Sequence, residues 1–276
     1  MRKLLVLVVL AALAVGVVPM AMAGNANQFA GCADEVGLEF GARFGVKQVN
    51  GLTMSFTAVG VDGFDPELTV LDQTGEVVAC DNDSNDVAGV SVVLPNVEAG
   101  PSDTSAKVEV TVPGDQGRFD FEIVVTGADN TSGEFVLLYE GAEVFGATNV
   151  DDFSYTTTDL QAEAEVPFGV YAANLKRPDL AIDPEISVTF GDQSQTCSKS
   201  SSSALCQGEH EDLTDFTVTL DEEAGPIALN GDDVMLYYEL GGGAAEFGIS
   251  VGSYQQASFG AYTLIVYSGV VFPEAE

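Results

Sequence analysis

Residues 64–83 read "FDPELTVLDQTGEVVACDND", and a weaker copy, "IDPEISVTFGDQSQTC", occupies 182–197. Proline fixes its own φ and pushes the residue before it toward an extended form. Asp65-Pro66 and Asp183-Pro184 therefore both mark entry into a strand. The runs that follow are apolar and β-branched at alternate positions, and Gly75 and Gly191 allow the tight turn back. Each stretch reads as a β-hairpin, and the chain carries it twice.

The copies extend well beyond these hairpins. Asp65-Pro66-Glu67 corresponds to Asp183-Pro184-Glu185 with a shift of 118, and Cys80 to Cys197 with a shift of 117. Phe121, Ile123 and Val125 match Phe247, Ile249 and Val251 with a shift of 126. Residues 132–139 match 259–266 with a shift of 127. Shifts that stay in order and change only at turns are the signature of a duplication. Between the matched blocks the period is that of strands. Leu52, Met54, Phe56 and Ala58 alternate with threonine and serine, and Val108, Val110 and Val112 alternate with Glu109 and Thr111. The expected fold is all-β, two tandem antiparallel jelly-roll-like β-sandwich domains over 24–141 and 142–276. The boundary falls near 141–146, and two such sandwiches need no shared core.

The order of elements resembles the bacterial pre-peptidase C-terminal domain, a jelly-roll-like sandwich attached to many secreted proteases. The signature of that family, Asp-Pro-x-Leu-x-Leu-x-Asp-x-x-Gly, is matched by Asp65-Pro66-Glu67-Leu68-Thr69-Val70-Leu71-Asp72-Gln73-Thr74-Gly75. An acidic run, Asp81-Asn82-Asp83, follows Ala79 and Cys80. The second copy keeps Asp183, Pro184, Ile186 and Val188 but carries "SKSSSSALC" in place of the acidic run. The resemblance implies an accessory role: assisting secretion, surface association or the stability of an exported partner.

The first residues have the plan of a signal peptide over 1–23. Arg2 and Lys3 are basic, residues 4–18 are apolar, and Ala21-Met22-Ala23 is a cleavage site. Residues 24–276 are then expected outside the cell, in the medium or at the cell surface, with the periplasm as the other compartment, and without an integral membrane anchor. Removing Arg2 and Lys3 takes the net charge from −34 to −36. Such a balance lacks the basic footprint that nucleic acid or anionic lipid requires. Hydrophobic residues make up 46% of the chain, enough for a packed core, so the charge does not signal disorder. Four cysteines, Cys32, Cys80, Cys197 and Cys206, favour disulfides in an exported chain. Three connectivities are open. The favoured one closes the short serine-rich loop with Cys197–Cys206 and leaves Cys32 with Cys80.

Metal binding is the best-supported chemistry. Asp81, Asp83 and Asp86, with Asn82 and Asn85 between them, offer hard oxygen ligands of the type calcium takes, and Asp65 joins from the preceding turn if the strands pair as expected. The competing reading is that Asx residues cap turns here. The second copy has Asp183 but no comparable run, so one calcium site at most is expected. Catalysis is poorly supported. His210 is the only histidine, it lies in the acidic stretch "CQGEHEDL", and no G-x-S-x-G surrounds the neighbouring serines. The expected function is an exported, non-catalytic binding or accessory module, with a protein or cell-surface polymer as partner. A structural subunit of an envelope or appendage, and a hydrolase built around His210, are the alternatives.

Overall fold

Strands form wherever apolar and polar residues alternate, and the chain is an all-β sandwich of antiparallel strands. The computed structural model describes residues 32–49, 52–82, 89–94, 97–101, 104–112, 118–144, 151–173, 182–198, 200–201, 206, 217–220, 226–228, 234–239, 246–256 and 260–274. A short helix α1 (Glu35–Phe40) opens the first repeat, with Asp34 as its N-cap. The strands β1 (Ala42–Val49), β2 (Thr53–Gly60), β3 (Pro66–Asp72), β4 (Val77–Asp81) and β5 (Ser91–Leu94) follow it. The repeat continues through β6 (Val97–Ala99), β7 (Ala106–Thr111), β8 (Arg118–Gly127) and β9 (Gly133–Val144). The second repeat begins with β10 (Asp151–Thr156) and a helix α2 (Asp159–Glu163), which a Thr158/Gln161 capping box starts. It runs on through β11 (Pro167–Ala173), β12 (Pro184–Phe190), β13 (Gln193–Ser198) and β14 (Thr217–Thr219). Last come β15 (Ile227–Ala228), β16 (Val234–Glu239), β17 (Glu246–Ser253) and β18 (Gly260–Val270).

These strands make three layers. An eight-stranded sheet runs β13-β12-β17-β10-β1-β8-β3-β4, a six-stranded sheet β16-β11-β18-β9-β2-β7, and a four-stranded sheet β15-β14-β5-β6. Phe44, Leu68, Ile123 and Phe247 from the first pack against Phe56, Leu137, Tyr139 and Leu264 from the second. On the other face of the six-stranded sheet, Val59, Val136, Leu138 and Ile265 pack against Val92, Val97 and Val218 of the third. Each such side chain, taken fully out of water, stabilises the fold by about 1.5–3 kcal/mol. The central strands β9 and β18 are therefore apolar on both faces.

Strands β1–β9 and β10–β18, drawn from the two repeats expected over 24–141 and 142–276, share sheets and core. β1 pairs with β10, β9 with β18 and β5 with β14, so each sheet contains strands of both repeats. Residues Gly31–Glu276 form one compact unit. The expectation that tandem sandwiches need no shared core is thus replaced, and the reason lies at the edges. Taken alone, each repeat would end its sheets in rows of unpaired N–H and C=O groups, and the two repeats satisfy these for each other. β9 continues past Gly141 to Val144, inside the span 141–146 where the boundary is expected.

The hairpins that open both copies differ in one respect from their sequence alignment. Asp65 and Asp183 are equivalent: the carbonyl of Asp65 accepts from Ala128 N (2.9 Å), and that of Asp183 accepts from Tyr254 N (2.7 Å). The cysteines are not equivalent. Cys80 lies opposite Thr69, whereas Cys197 lies opposite Ile186, whose counterpart is Leu68. A register irregularity between Val70 and Leu71 moves the return strand by one residue, which puts Asp81 where the second copy has Cys197. A one-residue slip changes the face on which a side chain sits.

Candidate acidic cleft and the sandwich rim

The slip explains what Asp81 does. Its side chain lies at the open rim of the sandwich, where edge strand β4 of one sheet approaches edge strand β7 of the other. Asp81 Oδ2 accepts a hydrogen bond from the Lys107 backbone N–H at 2.7 Å, which fastens the two sheets together. In the second repeat the same position is Cys197, which is buried and bonded to Cys206 with a Cα–Cα distance of 5.2 Å. Cys32 and Cys80 form the other disulfide, at a Cα–Cα distance of 5.5 Å. Two structural disulfides place the folded chain outside a reducing cytoplasm. Among the described residues no helix is long and apolar enough to cross a membrane.

Of the expected calcium ligands, Asp83 and Asp86 lie outside the described residues, as does His210. Asp65 and Asp81 are described, and they do not sit side by side. Asp81 is opposite Leu68, three positions along β3 from Asp65, which corresponds to about 10 Å of strand. Among the described residues no group of three His, Cys, Asp or Glu side chains is arranged to hold a metal ion. At the start of the serine-rich stretch, Ser198 N donates to Ser201 Oγ (2.9 Å) and Ser198 Oγ lies 3.1 Å from Ser200 Oγ.

Asp65 belongs to a different feature, a cleft of about 630 Å³ at the corner between β2 and β3. Its floor is built around Phe64. A Cβ on Gly60 would come within 1.7 Å of the Phe64 carbonyl oxygen, and one on Gly133 within 2.3 Å of the Phe64 ring. Only glycine fits at either place. Phe64 N donates to the Val61 carbonyl and Val61 N to the Glu134 carbonyl, both at 2.9 Å. The chain then turns with positive φ at Asp62 (51°) and Gly63 (80°). Across the cleft Asp129 and Asn130 take φ of 54° and 57° in a 3-10 turn held by Asp65. Short polar Asx side chains tolerate this left-handed conformation better than other non-glycine residues.

Carboxylates dominate the rim of this cleft. Asp62, Asp65, Asp129 and Glu134 line it, and Tyr267 OH donates to Glu134. Glu67 stands beside it, half-buried, and Thr126 Oγ1 donates to its Oε2 at 3.3 Å. Burial pushes the Glu67 carboxyl above its usual range. The Thr126 hydrogen bond pulls it back, and the nearby charges of Asp65, Asp129 and Asp34 push it up further. Asp34 is held below the usual range by the Gly37 N–H it accepts as helix cap and by the Asn130 amide. A crowd of like charges that already resists ionisation at one member is suited to a cationic or basic group. Of this set, only Asp65 is a ligand candidate from sequence alone. The missed signal was Asp62 and Asp65 just before β3 with Glu67 at its start, together with Asp129-Asn130 after β8.

A second depression, about 410 Å³, lies on the outer face of the eight-stranded sheet above Gly45, Ser154 and Gly248, and Asp120, Glu122 and Asp152 border it. It too is acidic.

No family model and no curated protein matches the chain. Three solved structures illustrate its similarities. A conserved protein of unknown function from Pseudomonas aeruginosa is 11% identical over 83% of both chains, with a TM-score of 0.22. Dimeric latent PorU from Porphyromonas gingivalis is 9% identical over 86% of this chain and 25% of its own, with a TM-score of 0.24. The C-terminal domain of the antigen I/II polypeptide BspA from Streptococcus agalactiae is 9% identical over 88% of this chain and 80% of its own, with a TM-score of 0.12.

Proposed function

We propose that the chain is an exported, non-catalytic binding or accessory module that works at the cell surface or in the medium. It recognises basic groups on a protein or cell-surface polymer at the acidic cleft of the first repeat. The observation that carries this reading is the carboxylate rim of the 630 Å³ cleft, set on a glycine-enforced corner and flanked by the raised carboxyl of Glu67. A rigid corner holds the charges together without the entropy cost of ordering long side chains. The resemblance of residues 65–75 to the pre-peptidase C-terminal signature, and the signal-like residues 1–23, support the same reading.

Calorimetric titration with a lysine-rich peptide tests it. Affinity should fall steeply with salt, and it should drop at least tenfold in an Asp62→Asn, Asp129→Asn double variant. The control removes two charges elsewhere, at Glu35 and Glu163. If both double variants weaken binding equally, the peptide reads net charge and the cleft has no special role.

Calcium at the acidic run is the second reading. It is supported by the ligand types in sequence: Asp81, which the Lys107 N–H fixes to the sandwich rim, is followed by Asp83 and Asp86, hard oxygen donors of the kind calcium takes.

A further inference from the structure

The central strand pairs contain an internal two-fold. In the β9–β18 pair, Leu138 lies opposite Ile265, and these residues are 127 positions apart, the same offset that aligns the repeats in this region. Leu138 therefore faces its own counterpart. The pair Val136–Tyr267 maps under that offset onto Thr263–Glu140, which is also present. The four-stranded sheet repeats the pattern, with Val92 opposite Val218, 126 positions apart. In the eight-stranded sheet Phe44 faces Tyr155 and Val46 faces Phe153, around a central Gly45–Ser154 pair. All three sheets thus place one two-fold relation between the repeats, and their strand orders are symmetric about it. This is isologous contact, the geometry of a homodimer, found within one chain.

We infer that the surface joining the two repeats is a self-association surface, and that its other occupant is the equivalent repeat of a second copy of this chain. Two chains would exchange repeats and close into a dimer, each half rebuilding the sheets shown here. Three observations allow it. The contact has an apolar centre, with Leu138, Ile265, Val92 and Val218 all fully buried and Phe44 stacked on Phe153 at 5.5 Å. Each disulfide closes within one repeat, so neither ties the repeats together. The remaining covalent tie is the short segment 145–150, and short connections between mutually paired units favour exchange. A repeat that opens exposes the long edges of β1 and β9, which the same pairing with a second copy closes again. The net charge of −34 opposes meeting of two chains, so exchange should grow with ionic strength.

The test uses the full chain with a protease site inserted between Val144 and Asp151. It is unfolded with its disulfides intact and refolded in high salt over a range of concentrations, and mass is read by light scattering after gel filtration. The dimer-to-monomer ratio should rise in proportion to chain concentration. Cleavage at the inserted site should convert the dimer into monomer-mass pairs of halves and leave the mass of the monomer unchanged. Monomer at every concentration would overturn the inference. So would a dimer that keeps its mass after cleavage, because another surface would then hold it. Should the insertion block folding, unmodified chains labelled with heavy and light nitrogen are co-refolded and read by native mass spectrometry. Mixed dimers that form only on co-refolding support exchange, and their absence overturns it.

Discussion

Asp81 separates a structural role from a metal role, and its substitution decides how the acidic run is to be understood. The carboxylate accepts the Lys107 backbone N–H in a partly buried bond that joins two edge strands. A hydrogen bond to a charged group contributes about 1.5–3 kcal/mol, and partial exposure places this one near 2 kcal/mol. For a chain of this size each kcal/mol moves Tm by about 2–4 °C. Asp81→Ala should therefore lower Tm by about 4–8 °C in a thermal scan run in EDTA, where no calcium is bound. Asp83→Asn with Asp86→Asn should leave that scan close to wild type. Calcium at a hundredfold excess over its dissociation constant should add about 2.7 kcal/mol to the wild type. Magnesium at equal ionic strength should add much less, because it requires a tighter shell and gives up water reluctantly. The double variant should lose the calcium increment while keeping the EDTA Tm. An Asp81→Ala protein that melts with the wild type in EDTA would refute the rim fastening. Equal shifts from both ions would refute the metal site.

Four further outcomes are expected. Leu138→Ala and Ile265→Ala each create a cavity at the two-fold and should each cost about 2–5 kcal/mol in chemical denaturation, with the double variant less than additive because the residues face each other. A large loss at one position and none at the other would contradict the symmetry. Replacing Cys32 and Cys80 by serine opens a separation of 48 residues and should cost about 4 kcal/mol, against about 2.5 kcal/mol for the separation of 9 between Cys197 and Cys206. The raised folded-state carboxyl of Glu67 contributes stability below the unfolded pKa that is lost as pH rises through the folded one, so Glu67→Gln should raise Tm at pH 7 and make no difference by about pH 4. Burial raises the Tyr155 and Tyr262 phenols, so both should stay silent in an absorbance titration until the protein unfolds above about pH 10, and early ionisation of either would show that its site is open to water.

Much of the fold was legible in the sequence, and the misses have physical causes. Met54, Phe56 and Ala58 point inward as the alternation of residues 52–58 requires. The third layer was also written in the chain. Residues 135–139, "FVLLY", and 263–267, "TLIVY", are consecutive rather than alternating, which is how a strand covered on both faces reads. The alignment of Cys80 with Cys197 failed because a bulge changes register without changing composition. The acidic cleft was seen only in part because Asp62, Asp65 and Asp129 converge through a corner, and side-chain convergence across a corner leaves no period in the sequence.

Fusion of the repeats was the least legible feature, and the reason is general. Periodicity reports which face of a strand is buried, and it is silent on which edge is paired. Both repeats show good faces, so each reads as complete. A sheet also has edges, and β1, β5 and β9, with their apolar faces, all lack a partner on one side within the first repeat. Pairing with β10, β14 and β18 closes them at once, because a duplicated unit brings the same edges with the same register. A duplication therefore supplies both the problem and its solution. Residues 32–144, expressed alone, should then either pair with a second copy through Leu138 against Leu138 or fail to stay soluble. A monomeric, stably folded fragment of 32–144 would show that the edges can be closed without a partner, and it would remove the physical basis of the shared sheets.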